Sequence, residues 1–187
     1  GLLFNGLISD PTNLADWVSS TLPYFLLRES RSSGKKGLRP LLPFNANGTI
    51  NTGPVPWLRT FNEDSIIPGS LSISYVPRAD RMPFCVQVVW RQQPDDGLGL
   101  ARTAEVRYGG SALDGPYEQH DLSEFCATED HAFKVGAYIL ARRRYIDHRL
   151  TLKVRPGDLR DLLSPGDIVR VRLRRIANVG SASVHDY

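Results

Sequence analysis

Hydrophobic positions recur along this chain with two different periods, and each marks a different kind of element. Near the start, "SDPTNLADWVSSTL" places Leu14, Trp17, Val18 and Thr21 at i, i+3, i+4 and i+7, the spacing of one buried helix stripe. Asp10 is a suitable N-cap, and Pro11 fits the first helical position, where its missing N–H costs nothing. Pro23 stops the helix. "YFLLRES" then reads as a strand and "RSSGKKG" as a tight polar turn. "LRPLLPF" continues extended, with Pro40 and Pro43 confining it to a sheet edge or a loop. After residue 69 the period changes to two. In "SLSISYVPR", Leu71, Ile73 and Tyr75 alternate with Ser70, Ser72 and Ser74. In "PFCVQVVWRQQ", Phe84, Val86, Val88 and Trp90 alternate with Cys85, Gln87, Val89 and Arg91, and "LARTAEVRYG" and "PYEQHDL" extend the series. Strands joined by turns as short as "PDDGLG" predict antiparallel pairing.

The helical period returns at residues 129–145. Thr128 is placed to cap this second helix, and Glu129 and Asp130 complement its positive end. Phe133, Ala137, Leu140, Ala141 and Arg144 line one face, while Ala132, Val135, Gly136 and Ile139 widen the apolar arc. A helix apolar over more than half its circumference needs cover on two sides, so it is expected at the centre of its domain. Gly136 beside Ala132 and Ala137 predicts close contact with a sheet. Arg142, Arg143 and Arg144 sit where the carbonyl end of the helix favours cations. Strand patterns follow in "HRLTLKVR" and "IVRVRLRRI", separated by two Pro-Gly-Asp turns. In the last strand Val169, Val171 and Leu173 face one way; Ile168, Arg170, Arg172 and Arg174 face the other.

These patterns predict an α+β fold, mostly antiparallel β with a barrel-like or sandwich subdomain and one helix in each of two small subdomains. Residues 1–44 form a helix-plus-hairpin module. Residues 45–69, crowded with Asn, Gly and Pro, read as a connecting segment with short extended pieces such as "TI" at 49–50. Residues 70–176 form a β-rich domain around the helix, and 177–187 an exit linker. Trp57 in the connecting segment is expected to pack on a neighbouring surface, with a binding anchor as the alternative.

Composition changes this picture little. Hydrophobic residues make up 41% of the 187 positions and charged residues 23%, as in ordinary globular domains. The net charge of +3 is too small to require a nucleic-acid partner, although local clusters still matter. No run is long and apolar enough for a membrane span, and no signal-peptide pattern opens the chain. The first residue, Gly1, marks the sequence as an expected piece of something longer. Cys85 and Cys126 are too few for a disulfide scaffold and read as two free, half-buried thiols, with a bridge as the alternative.

Candidate chemistry is sparse. Of the four histidines, His120 and His148 each neighbour an Asp, but strand neighbours point to opposite faces, so no preassembled dyad is expected. His120, His131, His148 and His185 are therefore read as surface or capping residues, and no metal-ligand spacing appears. Carboxylates in "EDS" and "PDDG" belong to turns. No serine lies in a Gly-x-Ser-x-Gly elbow, and "RYGGSALDGP" lacks the helix and Lys-Ser/Thr of a phosphate loop. The expectation is a non-enzymatic protein without cofactor or metal. The sharpest charged feature is the period-two row Arg170, Arg172 and Arg174, a candidate subunit or partner interface together with Trp57. A nucleic-acid- or carbohydrate-binding β-module, using this row or Trp57 and Trp90, is the alternative function.

Three stretches carry a resemblance. "DSIIPGSLSISYVPRADRMPFCVQVVWRQQ", "YEQHDLSEFCATEDHAFKVGAYILARRRYIDHRLTLKVRP" and "LLSPGDIVRVRL" resemble, in order and spacing, the phage tail-tip or baseplate hub family of lambda tip-attachment-protein-like proteins. The matching features are Gly69 to Tyr75, Val86 to Trp90, Ala132 to Arg144 and Pro165 to Val171, within a likeness spanning residues 8–176. The chain departs from the pattern at Pro83 and Cys85, near where the family often carries Asn, and it lacks the receptor-binding and fibronectin-like regions of many hubs. The resemblance implies an intermediate hub section with barrel-like and α/β subdomains. It implies a structural virion protein at the tail tip, assembled in the host cytoplasm as a homotrimer. Its partners would be the distal tail or tube protein and the tape-measure protein, with DNA passing through the lumen without specific binding and no stable membrane insertion. Host attachment and genome delivery are the functions implied.

Overall fold

The computed structural model describes residues 2, 4, 13–32, 34–42, 53–81, 85–92, 99–107, 116–159, 163–176 and 182–186. In chain order the elements are α1 (Leu14–Thr21), β1 (Leu27–Ser32), β2 (Lys35–Pro40), β3 (Arg59–Asn62), β4 (Ser72–Tyr75), β5 (Cys85–Gln92), β6 (Leu100–Arg107), β7 (Tyr117–Asp121), α2 (Glu129–Tyr145), β8 (His148–Thr151), β9 (Val169–Ile176) and β10 (Ala182–Asp186). The fold is α+β with mostly antiparallel sheets. Among the described residues no sheet closes into a barrel; the sheets have two or three strands each. The chain divides into two interleaved units rather than consecutive segments: Gly1–Leu26 with Tyr75–Arg149, and Leu27–Ser74 with Leu150–Tyr187. Both α-helices fall in the first unit, which corrects the expectation of one helix per subdomain. The unit boundaries fall inside β4 and β8, which pair with each other.

In the first unit, β5 lies between β6 and β7. The register sets Val86 opposite Val106 and Val88 opposite Ala104, so period two delivers all four to one face. There they meet Ala132, Val135 and Leu140 of α2 and, from the turn after β7, Leu122, Phe125 and Cys126. Burial of this apolar face supplies the main driving force of the unit, at roughly 25 cal/mol per Å² removed from water. The opposite face is polar, with Gln87 donating to Glu105 at 2.8 Å and Arg107 paired to Glu105 at 2.7 Å. β5 and β6 are antiparallel, as expected, but β7 runs parallel to β5. It follows the outward-returning β6 and starts at the same end of the sheet as β5, on β5's free side.

α2 spans the residues expected, and Gly136 is buried against Val88 and Val106. Its buried positions are His131, Ala132, Val135, Gly136 and Leu140. Phe133 is 52% exposed, so the burial stripe is rotated from the expected one, and the helix is covered on its sheet side rather than all round. A second contact comes near its start, where His131 Nε2–H donates to the Tyr24 carbonyl at 2.8 Å and its ring meets Phe25.

α1 is shorter and shallower than its pattern predicts. Asn13 is its N-cap, accepting from the Ala15 amide at 3.1 Å; Asp10 and Pro11 lie outside the described residues. Trp17 and Val18 are half-buried and Leu14 is exposed, so no residue of α1 is fully covered. A 3₁₀ turn, Leu22–Phe25, then carries the chain to Leu26, which has a positive φ of 54° and is buried. A leucine is tolerated in this left-handed conformation because its buried side chain fixes the turn.

The second unit combines the β1–β2 hairpin with the sheet β10–β9–β3. Gly34, with φ 78°, makes the hairpin turn. β10 is antiparallel to β9, but β3 is parallel to it, with Phe61 opposite Val171 and both buried. β3 lies within the stretch expected to be a connecting segment; the "TI" at 49–50 lies outside the described residues. Of the alternating set Leu71, Ile73 and Tyr75 around β4, Ile73 is half-buried and the other two are exposed.

Candidate functional site

The second Pro-Gly-Asp turn forms the polar junction of the second unit. Asp167 Oδ2 accepts from the Ser164 amide at 2.6 Å, closing the turn on itself. Its other carboxylate oxygen takes a 2.6 Å ion pair from Arg39 of β2, and Arg28 of β1 donates to the Gly166 carbonyl at 2.6 Å. Gly166 has φ 99°, a conformation that side-chain-bearing residues rarely adopt, and a Cβ there would displace the Arg28 guanidinium from its carbonyl. The turn thus holds the hairpin to the strand that follows it, β9. The Ser164 amide, then Arg39, hold the Asp167 carboxyl below the usual carboxylate range. The unfolded chain therefore binds this proton more readily than the folded one. The stabilisation is present above the ordinary carboxyl value, near pH 4, and is lost as pH falls through the depressed folded value. Asp167→Asn is expected to be less stable at neutral pH and to lose less stability on acidification below about pH 4. Melting temperatures across that range check this, and equal slopes for the two proteins would refute it.

Immediately beyond this turn lies the predicted arginine row. The Arg170 guanidinium sits over the Trp57 ring, 4.6 Å from its centroid, a cation–π contact of about 0.5–1 kcal/mol at an exposed site. Arg172 follows two positions later and is exposed, while Val171 between them is buried. Period two therefore separates a cationic outer face from an apolar inner one. Arg174 holds the next register position, opposite Val184; its side chain lies outside the described residues. Trp57 was expected to pack on a neighbouring surface, and Arg170 is part of that surface. The tie is local: Leu58 N–H donates to the Ile168 carbonyl at 2.9 Å, aligning the approach to β3 with β9. Trp57 at 49%, Leu58 at 70% and Ile168 at 44% remain exposed, so this face joins cations to uncovered apolar surface. Sequence reasoning grouped Trp57 with the arginine row as one candidate interface but missed Leu58 and Ile168 as their companions.

The histidines divide differently from the expectation. His131 is fully buried rather than superficial. Asp147 hydrogen-bonds His148 directly, because Asp147 precedes β8 and is not bound by strand alternation. His120 pairs instead with Glu118, two positions away on the same face of β7, at 3.1 Å, and Glu118 also receives Arg143 of α2 at 2.9 Å. The His185 side chain lies outside the described residues. Both cysteines are free and buried, and burial raises both thiols above their ordinary range. That is the inert state of a core thiol rather than of a nucleophile.

No family model matches the chain, and no curated protein matches it. Among solved structures, a chain of the "Virion of native gene transfer agent (GTA) particle" is similar, with a TM-score of 0.58 and 16% sequence identity. The match covers 100% of this chain and 40% of that one. The two share a fold along the whole of the present sequence, which spans less than half of the other chain.

Proposed function

We propose that this protein is a structural component of a phage-like virion, acting within the hub at the tail tip. The observation that carries the proposal is the fold likeness, running from end to end of the chain, to part of a protein in a virion particle. The hub-like order of motifs supports the finer reading. In it, copies assemble as a homotrimer at the end of the tail tube, beside the distal tail or tube protein and the tape-measure protein. They link the tube to host-binding parts and serve attachment and genome delivery. The role needs neither a catalytic group nor a cofactor.

Purification of particles from a producing strain tests the proposal. The chain should co-purify with them, and antibody against it should label one end of the tail. Particles without the chain, or label spread over the capsid, would overturn the assignment. A second reading draws on the stacked Trp57–Arg170 pair: a nucleic-acid-binding β-module. Binding of an oligonucleotide that falls steeply with salt would favour that reading.

A further inference from the structure

We infer that the Trp57–Arg170 face of the second unit docks onto the acidic first unit of a second copy of the same chain. This rests on the reading that copies of the chain assemble, and it names the surfaces that meet. The argument begins with charge. The first unit holds ten Lys and Arg against thirteen Asp and Glu, and the second holds thirteen against seven, giving formal charges of −3 and +6. A chain with units of opposite sign is its own complementary partner, and unlike patches meeting head to tail make a heterologous contact that closes into a ring when its rotation permits.

The two surfaces also match in kind. On the second unit, Arg170 and Arg172 flank exposed Trp57, Leu58 and Ile168. Trp and Arg beside uncovered aliphatic side chains is the composition of an interface centre. On the first unit, Glu129 and Phe133 lie four positions apart on one face of α2 and are both exposed, and Glu124 is exposed in the turn before that helix. A carboxylate beside an apolar ring fits cations beside an indole. A single-stranded nucleic acid fits less well. It stacks successive bases on several aromatic platforms, whereas this face has one indole with Arg170 over its ring, and Leu58 and Ile168 offer phosphate nothing.

Charge exchange on the full chain, read by sedimentation velocity, tests the inference. Arg170→Glu with Arg172→Glu, and separately Glu124→Arg with Glu129→Arg, should each weaken self-association by at least about tenfold. The four substitutions together should restore most of it, and mixing the two double variants should give association that neither shows alone. Trp57→Ala should weaken it without altering charge. Circular dichroism melts identify any variant that fails to fold; for such a variant the milder Arg170→Gln or Glu129→Gln replaces the reversal. Undiminished association of the folded variants would overturn the docking face while leaving the virion reading intact. Loss without restoration in the combined variant would overturn the second copy as occupant, as would a monomeric wild type. Oligonucleotide binding abolished by the arginine reversals would assign the face to nucleic acid instead. Failure of the virion reading shows elsewhere, as absence of the chain from purified particles.

Discussion

Gly136→Leu is expected to destabilise the first unit by more than about 3 kcal/mol, whereas Gly136→Ala changes stability by about 1–2 kcal/mol at most. A Cβ at this position would lie 2.8 Å from Val106 Cγ2 and 3.2 Å from Val88 Cγ2. Both neighbours are β-branched, stiff about χ1 and buried on the sheet, so neither can swing aside. A single methyl forces a shift of a few tenths of an ångström, and the gain of about 1 kcal/mol from replacing a helical glycine with alanine offsets much of that cost. Leucine adds three further carbons to a space already closed. Its strain must separate α2 from β5 and β6 or expel the helix. Denaturant unfolding followed by far-UV circular dichroism measures both variants. A leucine variant as stable as the alanine one would mean that this face of α2 does not rest on the sheet.

That glycine was legible in the sequence because its neighbours, Ala132 and Ala137, are small as well. The bounds of α2 were legible too: two acidic residues open it and three arginines close it, and Thr128 stands at the N-cap position although its side chain makes no capping hydrogen bond. β5 and β6 could be read from apolar–polar alternation around Val86–Val88 and Ala104–Val106, within strands of eight residues each. Other features depend on partners distant in sequence. β3 is four residues long in a Pro- and Asn-rich stretch, and it becomes a strand only by pairing with β9, more than a hundred positions on. The contact of Trp57 with Arg170 follows from that pairing, so both residues were legible as interface candidates while their direct contact was not. The parallel course of β7 beside β5 was hidden for a related reason, since strand order is not written in local alternation. His131 was misread because an imidazole beside a carboxylate looks superficial in sequence, whereas the Tyr24 carbonyl satisfies it inside the fold. The burial face of α2 failed for a different cause. Apolar residues lie on several sides of this helix, and periodicity alone could not decide between Phe133 and the stripe through Val135.

The two phenylalanines provide a direct test of that choice. Phe125→Ala is expected to cost about 3–5 kcal/mol, and Phe133→Ala no more than about 0.5 kcal/mol. Phe125 is 4% exposed and sits in the turn between β7 and α2. Its ring meets Phe25 at 5.4 Å and Tyr24 at 6.0 Å between centroids, and Phe4 packs on it as well. Truncation would open a cavity where the 3₁₀ turn after α1, the β7–α2 turn and the core meet, and these edges contribute beyond buried area alone. Phe133 has no such enclosure, so its loss removes little from the folded monomer. If Phe133 lies in the copy-to-copy contact inferred above, its truncation instead lowers self-association while the melting temperature stays near that of the wild type. Comparable losses of stability for the two variants would show that α2 turns the opposite face to the sheet, and would remove Phe133 from the docking surface at the same time.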